Sequence, residues 1–208
     1  MALVLAAGGS TRMGRPKMLL RLPGGTVLAT VVTRLLQAQV DRVVVVLGDQ
    51  AAEVAAGAGL PEDPRVEVVR NEDWRAGLSS SLKRGLAACP AAEAVIVALG
   101  DQPSVRPQTV DRLVRAWRAG APLAFVVQGD RPGHPVLFDR VLRPELLALS
   151  GDVGARALVR RHFEQAFRLE EPILPDLDTE ANYRACLEEL GRLERDRPAP
   201  GAVPEERG

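Results

Sequence analysis

The chain has 208 residues, 46% of them hydrophobic and 26% charged, with a formal net charge of zero. That length gives room for one sizeable soluble domain with its own core. The neutral balance, with neither a lysine-rich tract nor an aromatic series for base stacking, argues against a nucleic-acid polymer as partner.

Leu3-Val4-Leu5 opens the chain as an apolar run suited to a buried strand. A loop of small residues follows, Ala6 to Thr11, with adjacent glycines at Gly8 and Gly9. Glycine lets a ligand approach the main chain closely, and successive exposed N–H groups make a concave anion site. Arg12 and Lys17 come next, with Arg15 between them. Backbone amides with Arg and Lys are the chemistry for holding a triphosphate and neutralising charge during phosphoryl transfer. Neither familiar phosphate loop fits. Gly14 is followed by Arg15-Pro16-Lys17 rather than directly by Lys, and G-x-G-x-x-G is absent.

Thr26 is a candidate N-cap for a helix running to about Gln39, with Val27, Val31 and Leu35 on its buried face. Arg42 to Leu47 is a continuous β-branched run, as in a parallel strand covered on both faces. Gly48-Asp49 ends it and a short alanine-rich helix follows. A third strand is expected at Arg65–Val69, a helix at Ser79–Ala88, a fourth strand at Ala94–Leu99 and a helix at Pro107–Arg118. Strands at Leu123–Val127 and Pro135–Phe138 flank a turn at Gly129–Gly133. Helices near Pro144–Leu149 and Val153–Arg161, a strand near Gln165–Leu169 and a last helix over about Glu180–Leu190 complete the pattern. Strands alternating with helices predict a single α/β domain with a mostly parallel central sheet over 1–190. The charged, Pro- and Gly-rich tail, 191–208, is expected to be disordered.

Cys89 and Cys186 match no metal spacing and are expected as free thiols of a reducing compartment. The N-terminal apolar run has no basic residues before it and is too short to span a bilayer, so the expected location is cytoplasmic, with no membrane partner.

Asp101, in Gly100-Asp101-Gln102-Pro103, follows the fourth strand, and ligands bind beyond the carboxyl ends of strands in open α/β sheets. It either caps a turn or holds a hard cation such as Mg²⁺. Asp178, in Asp176-Leu177-Asp178-Thr179, could be an N-cap of the last helix. One of Ser79, Ser80 and Ser81 could cap the helix they begin, and Trp74 reads as a packing residue. His134 precedes a strand at what should be a cleft edge. Asp152 reads as a helix cap, and His162 as structural.

Leu5-Ala6-Ala7-Gly8-Gly9-Ser10-Thr11-Arg12-Met13-Gly14-Arg15-Pro16-Lys17 resembles, without departure, the L-A-A-G-x-S-x-R-M-G-x-x-K signature of the MobA-like nucleotidyltransferases. The resemblance continues through Gly100-Asp101-Gln102-Pro103, Gly77-Leu78-Ser79-Ser80, Asp176-Leu177-Asp178-Thr179 and two elements similar to the molybdenum cofactor cytidylyltransferase branch, Gly133-His134-Pro135-Val136-Leu137-Phe138 and Gly151-Asp152-Val153-Gly154-Ala155-Arg156. It implies a Rossmann-like three-layer domain of the nucleotide-diphospho-sugar transferase type. It implies nucleotide binding by Leu5, Ala6, Ala7, Gly8, Gly9, Ser10, Thr11, Arg12, Lys17, Gly77, Ser79 and Ser80, and catalysis by Arg12, Lys17 and Asp101. Asp101 and Asp178 would hold Mg²⁺, and His134, Asp152 and Arg156 would border the acceptor.

The implied reaction moves a cytidylyl group from CTP to a phosphorylated pterin, molybdenum-bound molybdopterin, with release of pyrophosphate. A molybdenum hydroxylase would receive the product. Ala7 carries a Cβ where guanylyl members have Gly, a steric lean to the smaller cytosine. Two other readings stay open: another NTP or another small phosphorylated acceptor (a sugar or alcohol phosphate), and a binding module that holds the finished dinucleotide for a hydroxylase.

Overall fold

The computed structural model describes residues 1–8, 16–152, 154–173, 177 and 179–195. Among the expected site residues, Gly9, Ser10, Thr11, Arg12 and Asp178 lie outside that set, as do the expected tail from 196 onward and the neighbours Met13, Gly14, Arg15, Val153 and Asp176.

In chain order the elements are β1 (Ala2–Ala6), β2 (Arg21–Leu22), β3 (Gly25–Thr26), α1 (Val27–Leu36), β4 (Val43–Leu47), α2 (Ala51–Gly57), β5 (Val66–Arg70) and α3 (Leu78–Ala87). The second half adds β6 (Ala94–Leu99), α4 (Pro107–Arg118), β7 (Leu123–Gln128), β8 (Arg131–Asp139), α5 (Arg143–Ala148), α6 (Arg156–Arg161), β9 (Phe167–Glu170) and α7 (Glu180–Arg195). The main sheet has the order β5-β4-β1-β6-β8-β7-β9. Within this sheet, as described, only β8 runs antiparallel to its neighbours, so the expectation of a mostly parallel α/β sheet holds.

Alternation along each strand divides the core into two layers. Val4, Ala6, Val43, Val45, Ile96 and Ala98 face the side covered by α1, α2 and α4. Leu3, Leu5, Val44, Val46, Val95 and Val97 face Leu82 and Leu86 of α3 and Leu158 of α6. Both faces are buried, which is why β1, β4 and β6 read as unbroken apolar runs. Thr26 caps α1 as expected: its Oγ1 accepts from the Ala29 amide at 3.1 Å and donates to the Ala58 carbonyl at 2.6 Å. Cys89 and Cys186 are both buried.

Four local expectations need correction. The β7–β8 turn is tighter than Gly129–Gly133, because Gln128 pairs with Arg131. Arg131, Pro132 and Gly133 therefore belong to β8, and His134 lies within that strand rather than after a loop. α3 begins at Leu78 behind Gly77, with no side-chain cap, so none of the three serines caps it. α6 begins at Arg156, C-terminal to Asp152, so Asp152 is not its cap. α7 runs on to Arg195, past the expected Leu190; its Cys186 and Leu190 pack with Leu177 against Leu20 and Leu22.

Candidate active site

The first parallel unit extends the sheet from β1 to β4 and β5, whereas β6 joins on the other side of β1. The strand order therefore reverses between β1 and β6, and connections leaving their carboxyl ends diverge and open a crevice. Two glycines let the walls approach. A Cβ on Gly100 would come within 2.7 Å of Ala6 Cβ and 3.0 Å of Met18 Sδ, so only glycine brings the end of β6 this close to β1. A Cβ on Gly48 would stand 2.6 Å from both the Ala7 carbonyl and Trp74 Cβ. The result is a cleft of about 900 Å³ along the carboxyl ends of the sheet.

Lys17 and Asp101 lie on its floor, their side chains 14% and 20% exposed. Lys17 opens a single 3₁₀ turn after Pro16, and Asp101 follows Gly100, whose amide donates to the Leu5 carbonyl at 2.9 Å. Lys17 Nζ stands 3.9 Å from Asp101 Oδ2, close enough for mutual neutralisation but too far for a hydrogen bond. Leu5, Ala7 and Gly8 run along the floor beside them. His134 also reaches the cleft. Because β8 is antiparallel to β6, its start, not its end, lies at the carboxyl end of β6. His134 Nδ1 stands 3.4 Å from the Val97 carbonyl.

The wall over α3 comes from the loop Asn71–Gly77. Asn71 is 4% exposed and organises it. Its Nδ2 donates to Ser80 Oγ at 2.8 Å and Ser81 Oγ at 3.0 Å, and its Oδ1 accepts from the Asp73 amide at 3.1 Å. Ser80 Oγ in turn lies 2.9 Å from the Asp73 carbonyl and 2.8 Å from that of Gly77, which share its one proton. Gly77, Asp152 and Arg156 line the cleft, whereas Ser79 and Ser80 do not, and Ser81 takes their place. The Ser79 amide is engaged by the Gly151 carbonyl at 3.1 Å.

Arg75 and Arg160 also line the cleft, neither singled out by the sequence, as does Trp74, expected only as a packing residue. Only Arg160 left a usable trace, one helical turn beyond Arg156. Among the described residues no group of three or more His, Cys, Asp or Glu side chains forms a metal cage. A cation here would rest on Asp101 and substrate oxygens, a donor set that suits a hard ion such as Mg²⁺. Among the same residues no helix is long and apolar enough to cross a membrane.

Residues 2–166 match the MobA-like NTP transferase domain family. The chain belongs to this family. This MobA-like transferase is 38% identical over 166 residues to the nicotine blue oxidoreductase of Paenarthrobacter nicotinovorans, spanning 76% of the chain and 80% of that protein. It is 28% identical over 186 residues to the molybdenum cofactor cytidylyltransferase of Escherichia coli, spanning 87% and 92%. Among solved structures, Rv0371c of Mycobacterium tuberculosis superposes with a TM-score of 0.77 at 35% identity over 90% of this chain and 96% of that one. A manganese complex of the same mycobacterial protein superposes with a TM-score of 0.74, at 35% identity over 90% of this chain and 97% of that one. The architecture is accordingly that of the nucleotide-diphospho-sugar transferases.

Proposed function

We propose that this MobA-like transferase moves a cytidylyl group from CTP to the phosphate of molybdenum-bound molybdopterin, forming the cytosine dinucleotide and releasing pyrophosphate. The observation that carries this reading is the pairing of Lys17 with Asp101 on the cleft floor, beside the start of the intact opening signature. Likeness over most of the chain to a molybdenum cofactor cytidylyltransferase supports the donor and acceptor.

The residues divide the work. The segment that leaves β1 at Leu5 and Ala6 and continues through Ala7 and Gly8, with Gly9, Ser10 and Thr11, would lay backbone amides against the triphosphate. Lys17 and Arg12 offset the charge that grows on the departing pyrophosphate. Gly77 gives the base loop its close approach. His134, Asp152 and Arg156 border the acceptor. Asp101, with Asp178, would hold Mg²⁺, which when bound polarises the phosphate oxygens and aligns donor with acceptor. The acceptor phosphate is ionised at neutral pH and attacks the α-phosphorus itself, so the protein need supply no nucleophile.

Pyrophosphate release is the test, with Mg²⁺ present, comparing CTP, GTP, ATP and UTP, with and without molybdenum-loaded molybdopterin. Release that requires both CTP and the pterin is the expected result. Release with another nucleotide only, or without the pterin, would sink the reading. Asp101→Asn should lower the rate by about a hundredfold or more while leaving the melting temperature in place, because a neutral amide is a poor ligand for a hard cation.

A second reading rests on the similarity to the nicotine blue oxidoreductase: reduction of nicotine blue at the same cleft. Oxidation of NADH or NADPH by this chain in the presence of nicotine blue, with no pyrophosphate release under any nucleotide, would favour it.

A further inference from the structure

Three guanidinium groups line the rim of the cleft, on Arg75, Arg156 and Arg160. All three are exposed, unlike Lys17 and Asp101 on the floor. Arg156 and Arg160 stand one turn apart on α6, on one face of the helix. Arg75 comes from the other side, from the loop before α3.

What brings the two sides together is a backbone clasp. Gly77 has φ 98°, and a Cβ there would meet the Gly151 carbonyl carbon at 2.4 Å and its oxygen at 2.5 Å. A Cβ on Gly154 would meet Leu78 Cδ2 at 2.5 Å. The Ser79 amide donates to the Gly151 carbonyl at 3.1 Å. Arg75 precedes this clasp by two residues and Arg156 follows it by two, so both issue from the same joint.

No counter-charge is paired with these groups among the described residues: none of the three arginines pairs with a carboxylate, and Asp152, though it lines the same cleft, forms no ion pair with them. Arg161, next to Arg160, is instead paired with Glu145, Nη1 to Oε2 at 2.6 Å. Arg75 lies with its Cζ 4.3 Å from the Trp74 ring centroid. A guanidinium over a ring face is held by attraction to the ring and keeps N–H donors that an anion can take. Like charges gathered around a cleft raise the local concentration of anions and attract a ligand of opposite sign.

We propose that Arg75, Arg156 and Arg160 form a second anion site at the rim, and that the acceptor is a molecule with an anionic group besides the phosphate that reacts. The proposal rests on the nucleotidyl-transfer reading, in which the reacting phosphate meets the triphosphate on the floor at Lys17 and Asp101. The site selects among phosphorylated acceptors: a sugar phosphate with no second anionic group leaves the rim unmatched, and an acceptor that carries one fills it.

The experiment uses inorganic phosphate as probe and tryptophan fluorescence as readout, on the full chain. The chain has only two tryptophans, Trp74 and Trp117. Trp117 donates to Asp139 at the far end of the sheet, so loss of the response in Trp74→Phe assigns it to the rim. Phosphate should change the emission saturably, and the response should survive saturating CTP with Mg²⁺. Each of Arg75→Gln, Arg156→Gln and Arg160→Gln should weaken the apparent affinity by about tenfold, the loss of one charge-assisted contact. In turnover the same variants should raise KM for the acceptor and leave KM for CTP alone. Abolition of the phosphate response by CTP would overturn the proposal, because the rim would then serve the triphosphate. An unchanged response in the triple variant would overturn it as well. The titration needs no turnover, so absence of pyrophosphate release strikes the nucleotidyl-transfer reading and leaves the anion site to be judged on its own.

Discussion

Ala7 shows how much one methyl group decides. It is 5% exposed, and the Cβ that Gly48 lacks would stand 2.7 Å from its own. The side chain is therefore fixed between β1 and the turn after β4, at the edge of the cleft that Trp74 also borders. Ala7→Gly should open this edge and shift the ratio of CTP to GTP turnover toward GTP by about tenfold, the scale of one methyl group in a binding pocket. Rates with the two nucleotides, for wild type and variant, check it, and an unchanged ratio would remove Ala7 as the discriminator. Cys89 makes a different residue-scale statement. Burial pushes its thiol up from its ordinary value, so the thiolate is scarce. Labelling by a maleimide at neutral pH should be slow in the folded chain and fast only in denaturant, as mass spectrometry of the modified peptide would show.

Among the elements, the ends matter more than the lengths. Gly77 has a positive φ and no room for a side chain against Gly151, so Gly77→Ala meets both backbone strain and a clash. A loss of about 1–3 kcal/mol is expected, read as a lower midpoint in urea. Gly100→Val would wedge the end of β6 away from Ala6 and Met18 and carry Asp101 with it. It should cost about 1–3 kcal/mol from overpacking and also depress pyrophosphate release.

The elements themselves were readable from sequence where burial on both faces made a run of one kind, as in Val43–Leu47 and Ala94–Leu99. Thr26 was readable because capping is local chemistry. The start of α3 was not, because what holds it is Asn71 reaching across to Ser80 and Ser81, and Gly151 reaching across to Ser79. The opening signature and Asp101 were legible as motifs. The rim arginines were not, since only the folded clasp sets Arg75 near Arg156.

At the scale of the molecule, the charge arrangement gives a pH dependence. Hydrogen bonds from His162 and Arg161 hold the Glu145 carboxyl below its ordinary 4.5. Between the folded and unfolded values the unfolded chain binds more protons, so this pair's stabilisation is present above the unfolded value and lost as pH falls through the folded one. The Glu145 side chain is 33% exposed, and solvent screening keeps the effect small. The urea-midpoint difference between wild type and Glu145→Gln should be present at about pH 7 and should shrink by about pH 3. A difference that persists unchanged in acid would show that packing, not charge, sets the contribution of Glu145.

The clasp between Gly77 and Gly151 also constrains how the molecule can be recombined. The first hundred residues supply one wall of the cleft, and the segment from β8 through α6 supplies the opposite one. Under the proposed reaction, a graft of residues 131–161 from a relative would be the natural way to change acceptor while keeping the donor. Such a chimera inherits two halves of one joint from different parents. It should fold and turn over only when the incoming segment leaves room at Gly151 for the host's Gly77, and at Gly154 for Leu78. Shuffled libraries cut between β7 and β8 should therefore be enriched, among active members, for glycine at position 154 wherever leucine stands at 78, a linkage that sequencing of the survivors would expose.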